Sequence, residues 1–189
     1  EHAEAVYAQE LAREAYQHVL DLARAVDDRE QVFDALEELG RIDALLGDHD
    51  AATRSLEYVL AEADEPDRRQ RAARKLAAQQ ANWGEYDAAI ETADRALDLG
   101  PSDTEEACRV LLAKANALIE SGQDPGTQDE LLDEALALAR DLDDPELRGL
   151  ALRGRVGRVW RQTPGAVDDE TIAMAEEAVA LLEEAGDES

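Results

Sequence analysis

The chain is poor in the residues that fill large cores. Its single Phe, two Trp and four Tyr make up only 4% of 189 residues. Val, Ile and Thr are thin beside Ala, Leu, Glu and Arg, which are strong helix formers, so an all-α protein is expected. There is one cysteine, Cys108, which excludes an internal disulfide and makes the cytoplasm the default compartment. No apolar run approaches the roughly 20 residues of a membrane-spanning helix, and no signal peptide is visible. Lysine is nearly absent: apart from Lys75 and Lys114 every basic side chain is arginine, a bias that GC-rich coding or a salt-rich cytoplasm would each give. Positive charge is short overall, with 19 basic against 46 acidic residues and a net charge of −27. Such an excess repels nucleic acid and anionic membranes. The chain opens at Glu1 directly into a helical pattern and reads as a piece of a longer protein.

What is present is helix after helix, punctuated by Gly, Pro and Asp. From His2 to about Val26, Tyr7, Leu11, Ala15, Val19, Leu22 and Val26 recur at three- and four-residue spacing, the apolar stripe of an amphipathic helix. Asp28, Asp48, Ser102 or Asp103, and Asp144 stand where helix-capping side chains are favoured. Gly47, Gly84, Gly100-Pro101, Gly122 and Thr163-Pro164-Gly165 are stops. About nine helices follow, the last from about Asp168 to Ala185.

A small or branched residue followed by an aliphatic recurs as Val19-Leu20, Val59-Leu60, Ala96-Leu97, Ala135-Leu136 and Ala178-Val179, at spacings of 40, 37, 39 and 43. A period near 40 built from helix pairs marks a solenoid, because one pair cannot bury its apolar face alone. The stretch from Gln70 to Asp103 carries Ala77, Gly84, Tyr86, Ala89, Ala96 and Pro101, and with these it resembles a tetratricopeptide repeat (TPR). The preceding unit offers Leu39-Gly40, Gly47, Ala52 and Leu60, with His49 in place of the aromatic. The third keeps Ala115, Gly122 and Ala135-Leu136; the fourth keeps Val156-Gly157 and Ala178. The resemblance implies a right-handed α-solenoid of antiparallel helix pairs, in a longer-unit variant like that of bacterial signalling regulators. Residues 1–28 form a long helix of a preceding repeat or cap; four pairs occupy about 29–65, 66–102, 103–143 and 144–185; 186–189 is a polar tail.

No catalytic constellation is visible, and the chain reads as a non-enzyme without cofactor or metal. His2, His18 and His49 lack metal-ligand spacing, and a lone Cys108 reads as a small buried side chain. Gly154-Arg155-Val156-Gly157 superficially looks like a phosphate loop, but no strand precedes it, so its glycines are assigned to close helix packing. Trp83 and Trp160 end the first helices of their pairs, as core plugs or as partner anchors.

The informative pattern is the placement of positive charge. Residues 66–82 hold Arg68, Arg69, Arg71, Arg74 and Lys75 against Asp67; residues 146–162 hold Arg148, Arg153, Arg155, Arg158 and Arg161 against Glu146. Each stretch is net +4, whereas 168–188 carries nine acids and no base. Arg71, Arg74, Lys75, Arg155 and Arg158 share faces of their helices and are the candidate partner-binding residues; Arg153 falls within the apolar side. The resemblance implies that first helices line a concave groove. An arginine-bearing groove would take an acidic or carboxylate-bearing peptide segment. The competing reading is that these cations only neutralise acids on neighbouring helices. The expected function is a non-catalytic protein–protein interaction scaffold. The alternatives are a ligand-sensing regulatory segment of a larger bacterial signalling protein or transcriptional regulator, and a self-association module pairing as a homodimer through the exposed end of the array.

Overall fold

The computed structural model describes residues 2–100, 103–163, 165 and 168–187. Among them are nine α-helices and no strand: α1 (His2–Ala25), α2 (Arg29–Leu46), α3 (His49–Glu62), α4 (Pro66–Asn82), α5 (Tyr86–Asp98), α6 (Thr104–Ser121), α7 (Pro125–Asp141), α8 (Pro145–Gln162) and α9 (Asp169–Asp187). Pro101, Ser102, Pro164 and the tail beyond Asp187 lie outside the described residues.

The punctuation works through the backbone groups that a helix leaves unpaired at its ends. Asp28, Asp48, Asp124 and Asp144 each accept a hydrogen bond from the N–H three residues on, at Gln31, Ala51, Thr127 and Leu147. Asp103 caps α6 through the Glu105 N–H, and Ser102 lies outside the described residues. Gly47 and Gly122 close α2 and α6 at φ 80° and 71°, where a Cβ would be strained. These breaks set short turns, so each helix folds back on the last, and every consecutive pair from α1 to α9 packs together. The product is an all-α helical solenoid.

Its core is a strip rather than a ball. Val59, Ala72, Ala73, Ala77, Ala93, Ala96 and Val110 form one buried cluster; Cys108, Ala115, Leu132, Ala135 and Leu147 form a second. Leu97 packs against both, and Leu112 joins the second cluster to a third around Leu136, Ala151 and Ala178. A core shared by neighbours in series is the physical signature of a repeat array. Alanine suits it because small side chains let helices approach. At the α2–α3 crossing the approach is closer still: a Cβ on Gly40 would lie 2.9 Å from Leu56 Cγ.

Two expectations change. The stripe of α1 faces solvent instead of the core: Tyr7, Leu11, Val19, Leu22 and Val26 are exposed, and α1 docks through Leu20 and Ala23, with Tyr16. Both faces of α1 are apolar, and α2 packs against the one that carries Tyr16, Leu20 and Ala23. In the last pair Gly149, not Gly157, makes the close approach. A Cβ there would lie 2.7 Å from Leu182 Cγ and 3.2 Å from the Ala178 carbonyl oxygen, while one on Gly157 would meet nothing within 4 Å.

Candidate functional site

The first helices and the second helices of the pairs behave differently. α4 packs on α6 and α6 on α8, whereas α3, α5 and α7 do not pack on one another. Of the first helices, α4, α6 and α8 therefore form the tighter wall of the array. A cavity of about 450 Å³ opens along it. On α4 it is bounded by Arg74 and Ala78; on α6 by Arg109, Leu112, Ala113, Asn116 and the carboxylate of Glu120; on α8 by Leu150, Arg153, Gly154 and Gly157. The α8 residues stand at i, i+3, i+4 and i+7, one helical face. Gly154 also seats α8 on α7, since a Cβ there would lie 2.7 Å from Leu132 Cδ2; Gly157 leaves space.

The wall is cross-tied by charge. Glu37 of α2 is almost fully buried, and its Oε2 accepts hydrogen bonds from Arg71 Nε at 3.3 Å and Lys75 Nζ at 2.7 Å. Its Oε1 lies 3.8 Å from Arg68 Nη1, and Arg68 reaches Asp34 at 2.9 Å and Glu30 at 3.2 Å. The Arg68 guanidinium also lies 5.6 Å from the centre of the Phe33 ring. Arg74 turns the other way and donates to Glu106 of α6 at 2.5 Å. Arg109 of α6 donates to Glu146 of α8 at 2.8 Å and to Glu105 at 3.0 Å. Burial works against the Arg109 charge, but these two carboxylates outweigh it and hold its pKa above the ordinary arginine value. Arg155 and Arg158 pair with Asp133 and Asp129 of α7, and Arg161 with Glu120 of α6.

Of the five candidate residues, then, only Arg74 lines the main cavity. Arg71 and Lys75 sit together on Glu37, and Arg155 and Arg158 lie on the flank of α8 that faces α7. Arg158 borders a separate cavity with Gly122, Gln128 and Arg161. The groove residue that sequence reasoning passed over is Arg153. It is exposed, lines the cavity, and has no acidic partner among the described residues. Its alignment with Leu150, Gly154 and Gly157 was the available signal: two glycines beside a long cation on one helical face mark a recess.

Elsewhere the candidates are quiet. Cys108 is fully buried, its Sγ 3.3 Å from the Ala135 carbonyl oxygen, and burial pushes its thiol up to about 11. His49 stacks on Trp83 with ring centres 4.0 Å apart and planes 12° from parallel, tying the first pair's turn to the second's. Trp160 is more than half exposed. No cluster of three or more His, Cys, Asp or Glu that could hold a metal occurs among the described residues. No described helix is long and apolar enough to cross a membrane.

No family model matches the chain, and no curated protein matches its sequence. Among solved structures it is similar to the crystal structure of BtubC (BKLC) from P. vanneervenii, with a TM-score of 0.63 over 95% of this chain and 90% of that one, at 15% identity. At that identity the likeness shows the fold alone.

Proposed function

We propose that the chain is a non-catalytic interaction module, a TPR-like array whose inner groove takes an extended segment of another protein carrying carboxylate and aliphatic side chains. The observation that carries this reading is the pairing of an unneutralised Arg153 guanidinium with apolar Leu112 and Leu150 in one recess. An arginine can clamp a carboxylate with two parallel hydrogen bonds. The leucines offer burial to a neighbouring aliphatic side chain. The other groove cations already hold acids, and those ties stiffen the wall, so little entropy is lost when a ligand docks. The acidic exterior disfavours nucleic acid and anionic lipid as partners. The single buried thiol fits a reducing cytoplasm.

A display library of short random peptides should yield sequences enriched in Glu or Asp beside Leu or Ile. Selected peptides should lose about 10-fold or more in affinity, read by calorimetry, against Arg153→Glu, since a charge-assisted pair contributes roughly 1.5–3 kcal/mol. Gly157→Leu should have the same effect by filling the recess, and it should not unfold α8, because nothing stands within 4 Å of the added Cβ. Selection of no acidic motif, or binding unchanged in both variants, overturns the reading.

A second reading, a ligand-sensing regulatory segment of a larger signalling protein, is favoured by the ties themselves. Arg74–Glu106 joins α4 to α6, and Arg109–Glu146 joins α6 to α8, both at the groove. An anionic ligand that took either arginine from its carboxylate would loosen one joint of the array and alter its pitch. Solution scattering of the peptide complex that superimposed on the free chain would count against it.

A further inference from the structure

A cleft between α1 and α3 shares no residue with the recess at Arg153. Both helices pack on α2 but not on one another, and a cavity of about 340 Å³ opens between them over Leu36 and Leu39. Arg13, Leu20 and Arg24 of α1 form one wall; Arg54, Ser55 and Tyr58 of α3 form the other. At about 100° per residue, the α1 wall centres on the side of that helix roughly opposite its exposed stripe of Tyr7, Leu11 and Leu22. These three helices therefore build the cleft whatever lies against the stripe.

The cleft holds free positive charge in a chain of net charge −27. Arg13 is tied: its Nε lies 2.7 Å from Asp43 Oδ1 and its Nη2 3.2 Å from Asp48 Oδ2. Asp43 is buried, so the tie fixes Arg13 against the α2 floor. Arg24 and Arg54 stand on opposite walls, are exposed, and form no ion pair among the described residues. The hydroxyls of Ser55 and Tyr58 beside them donate to no acceptor there either. By contrast Arg95 of α5 gives both its Nη groups to Glu57 of α3, at 3.0 and 3.1 Å. A second cavity, of about 130 Å³, continues the first: Arg24 and Tyr58 line both, and Val32 and Phe33 lie beyond them. From Arg13 to Arg24 the wall runs about 16 Å, at about 1.5 Å per residue.

We infer that the cleft between α1 and α3 is a docking site for a phosphorylated segment of a partner protein, with the phosphoryl group held between Arg24 and Arg54. Charge selects the group. One arginine fork satisfies a carboxylate, whereas a phosphoryl group brings nearly two negative charges and three acceptor oxygens. That is enough for guanidiniums from both walls and for a hydroxyl of Ser55 or Tyr58. Size selects the carrier. A free phosphate would fill a small part of the cleft, whereas about five extended residues, at about 3.3 Å each, span its wall. The second cavity then receives a flanking apolar side chain against Val32 and Phe33. The acidic exterior turns away nucleic acid and anionic membranes, so the group has to arrive on a short segment that meets only the cleft. This inference uses neither Arg153 nor its recess and stands apart from the proposed groove.

Fluorescence anisotropy of the chain with short degenerate peptide pools, fixed at the centre as phosphoserine, serine or glutamate, tests it. The phosphoserine pool should bind more tightly than the serine pool. Arg24→Glu with Arg54→Glu should weaken phosphoserine binding about 100-fold or more, with circular dichroism unchanged because both side chains are exposed and unpaired. The same variant should leave the glutamate pool, which the Arg153 recess can take, as it was. Arg24→Lys with Arg54→Lys should fall between, since it keeps the charges and loses the forks. Arg140→Glu, a like change of charge on an exposed residue of α7, should alter nothing. Inorganic phosphate should compete only weakly. Equal binding of the phosphoserine and serine pools, phosphoserine binding that survives Arg24→Glu with Arg54→Glu, or an equal loss of the glutamate pool in that variant would each overturn the inference. So would inorganic phosphate bound as tightly as the peptides, or a preference for phosphatidylcholine vesicles carrying a phosphoinositide.

Discussion

Helices α4 and α8 have the same charge arithmetic, net +4 over the stretches 66–82 and 146–162, and opposite fates. On α4 the cations are drawn sideways. Arg68, Arg71 and Lys75 converge on Glu37 of α2, and Arg74 is held by Glu106 of α6. On α8 the ties go to exposed acids of α7 and α9 and to half-buried Glu120 of α6, and Arg153 is left over in a recess opened by Gly157. A helix's formal charge thus says little about what it offers a ligand. What counts is which acids the neighbouring helices place opposite, and how deeply those acids are buried.

The largest expected break in this comparison is Glu37→Ala. It strands Arg68, whose side chain is only 10% exposed, and deprives Arg71 and Lys75 of their acceptor. Removing one partner from a buried charge cluster should cost about 3 kcal/mol, read as a shift of the denaturant midpoint. Loss of less than about 1 kcal/mol would place Glu37 among ordinary surface acids. Next comes Gly149→Ala, whose Cβ must displace Leu182 and crowd a backbone carbonyl; overpacking of about 1–3 kcal/mol should exceed the gain in helix propensity. Gly157→Ala meets no neighbour and should stabilise by up to about 1 kcal/mol, so thermal melts of these two variants should move in opposite directions.

Smaller effects sharpen the contrast from the α8 side. Asp129→Ala and Asp133→Ala remove partners that are half or more exposed, so each should change stability by no more than roughly 1 kcal/mol. Smallest is the acid response of the cap at α9. Hydrogen bonds from the Thr171 side chain and backbone lower the Asp168 pKa from 3.8. A carboxylate depressed in the folded state stabilises above its unfolded pKa, and that contribution is lost as pH falls through the folded value. Asp168→Asn, which keeps a capping oxygen without titrating, should therefore flatten the dependence of melting temperature on pH below about pH 3.8. Asp43 moves in the other direction: burial raises its pKa despite Arg13, so it takes up its proton at a higher pH than the unfolded chain would. Its protonation favours the fold as pH falls, and this partly masks the loss at the caps.

Local chemistry wrote the helices, their caps and the series arrangement into the sequence. An Asp accepting the N–H three residues on, a Gly taking positive φ, and an Ala where two helices cross act within a few residues or within one repeat, so the pattern alone exposes them. Three things depended on tertiary placement. Which of the two apolar faces of α1 meets α2 was settled by packing and not by the periodicity, which marks both. The pairing of Arg71, Lys75, Arg155 and Arg158 depended on acids about 20 to 40 residues away, whose alignment no local pattern records. Arg153 stayed without a partner because Glu120, the α6 acid that lines the same recess, is taken by Arg161, while Gly157 kept the recess open. Short-range steric and hydrogen-bond rules fix where helices begin and end; charge availability is a sum over neighbours, and only the packed array determines it.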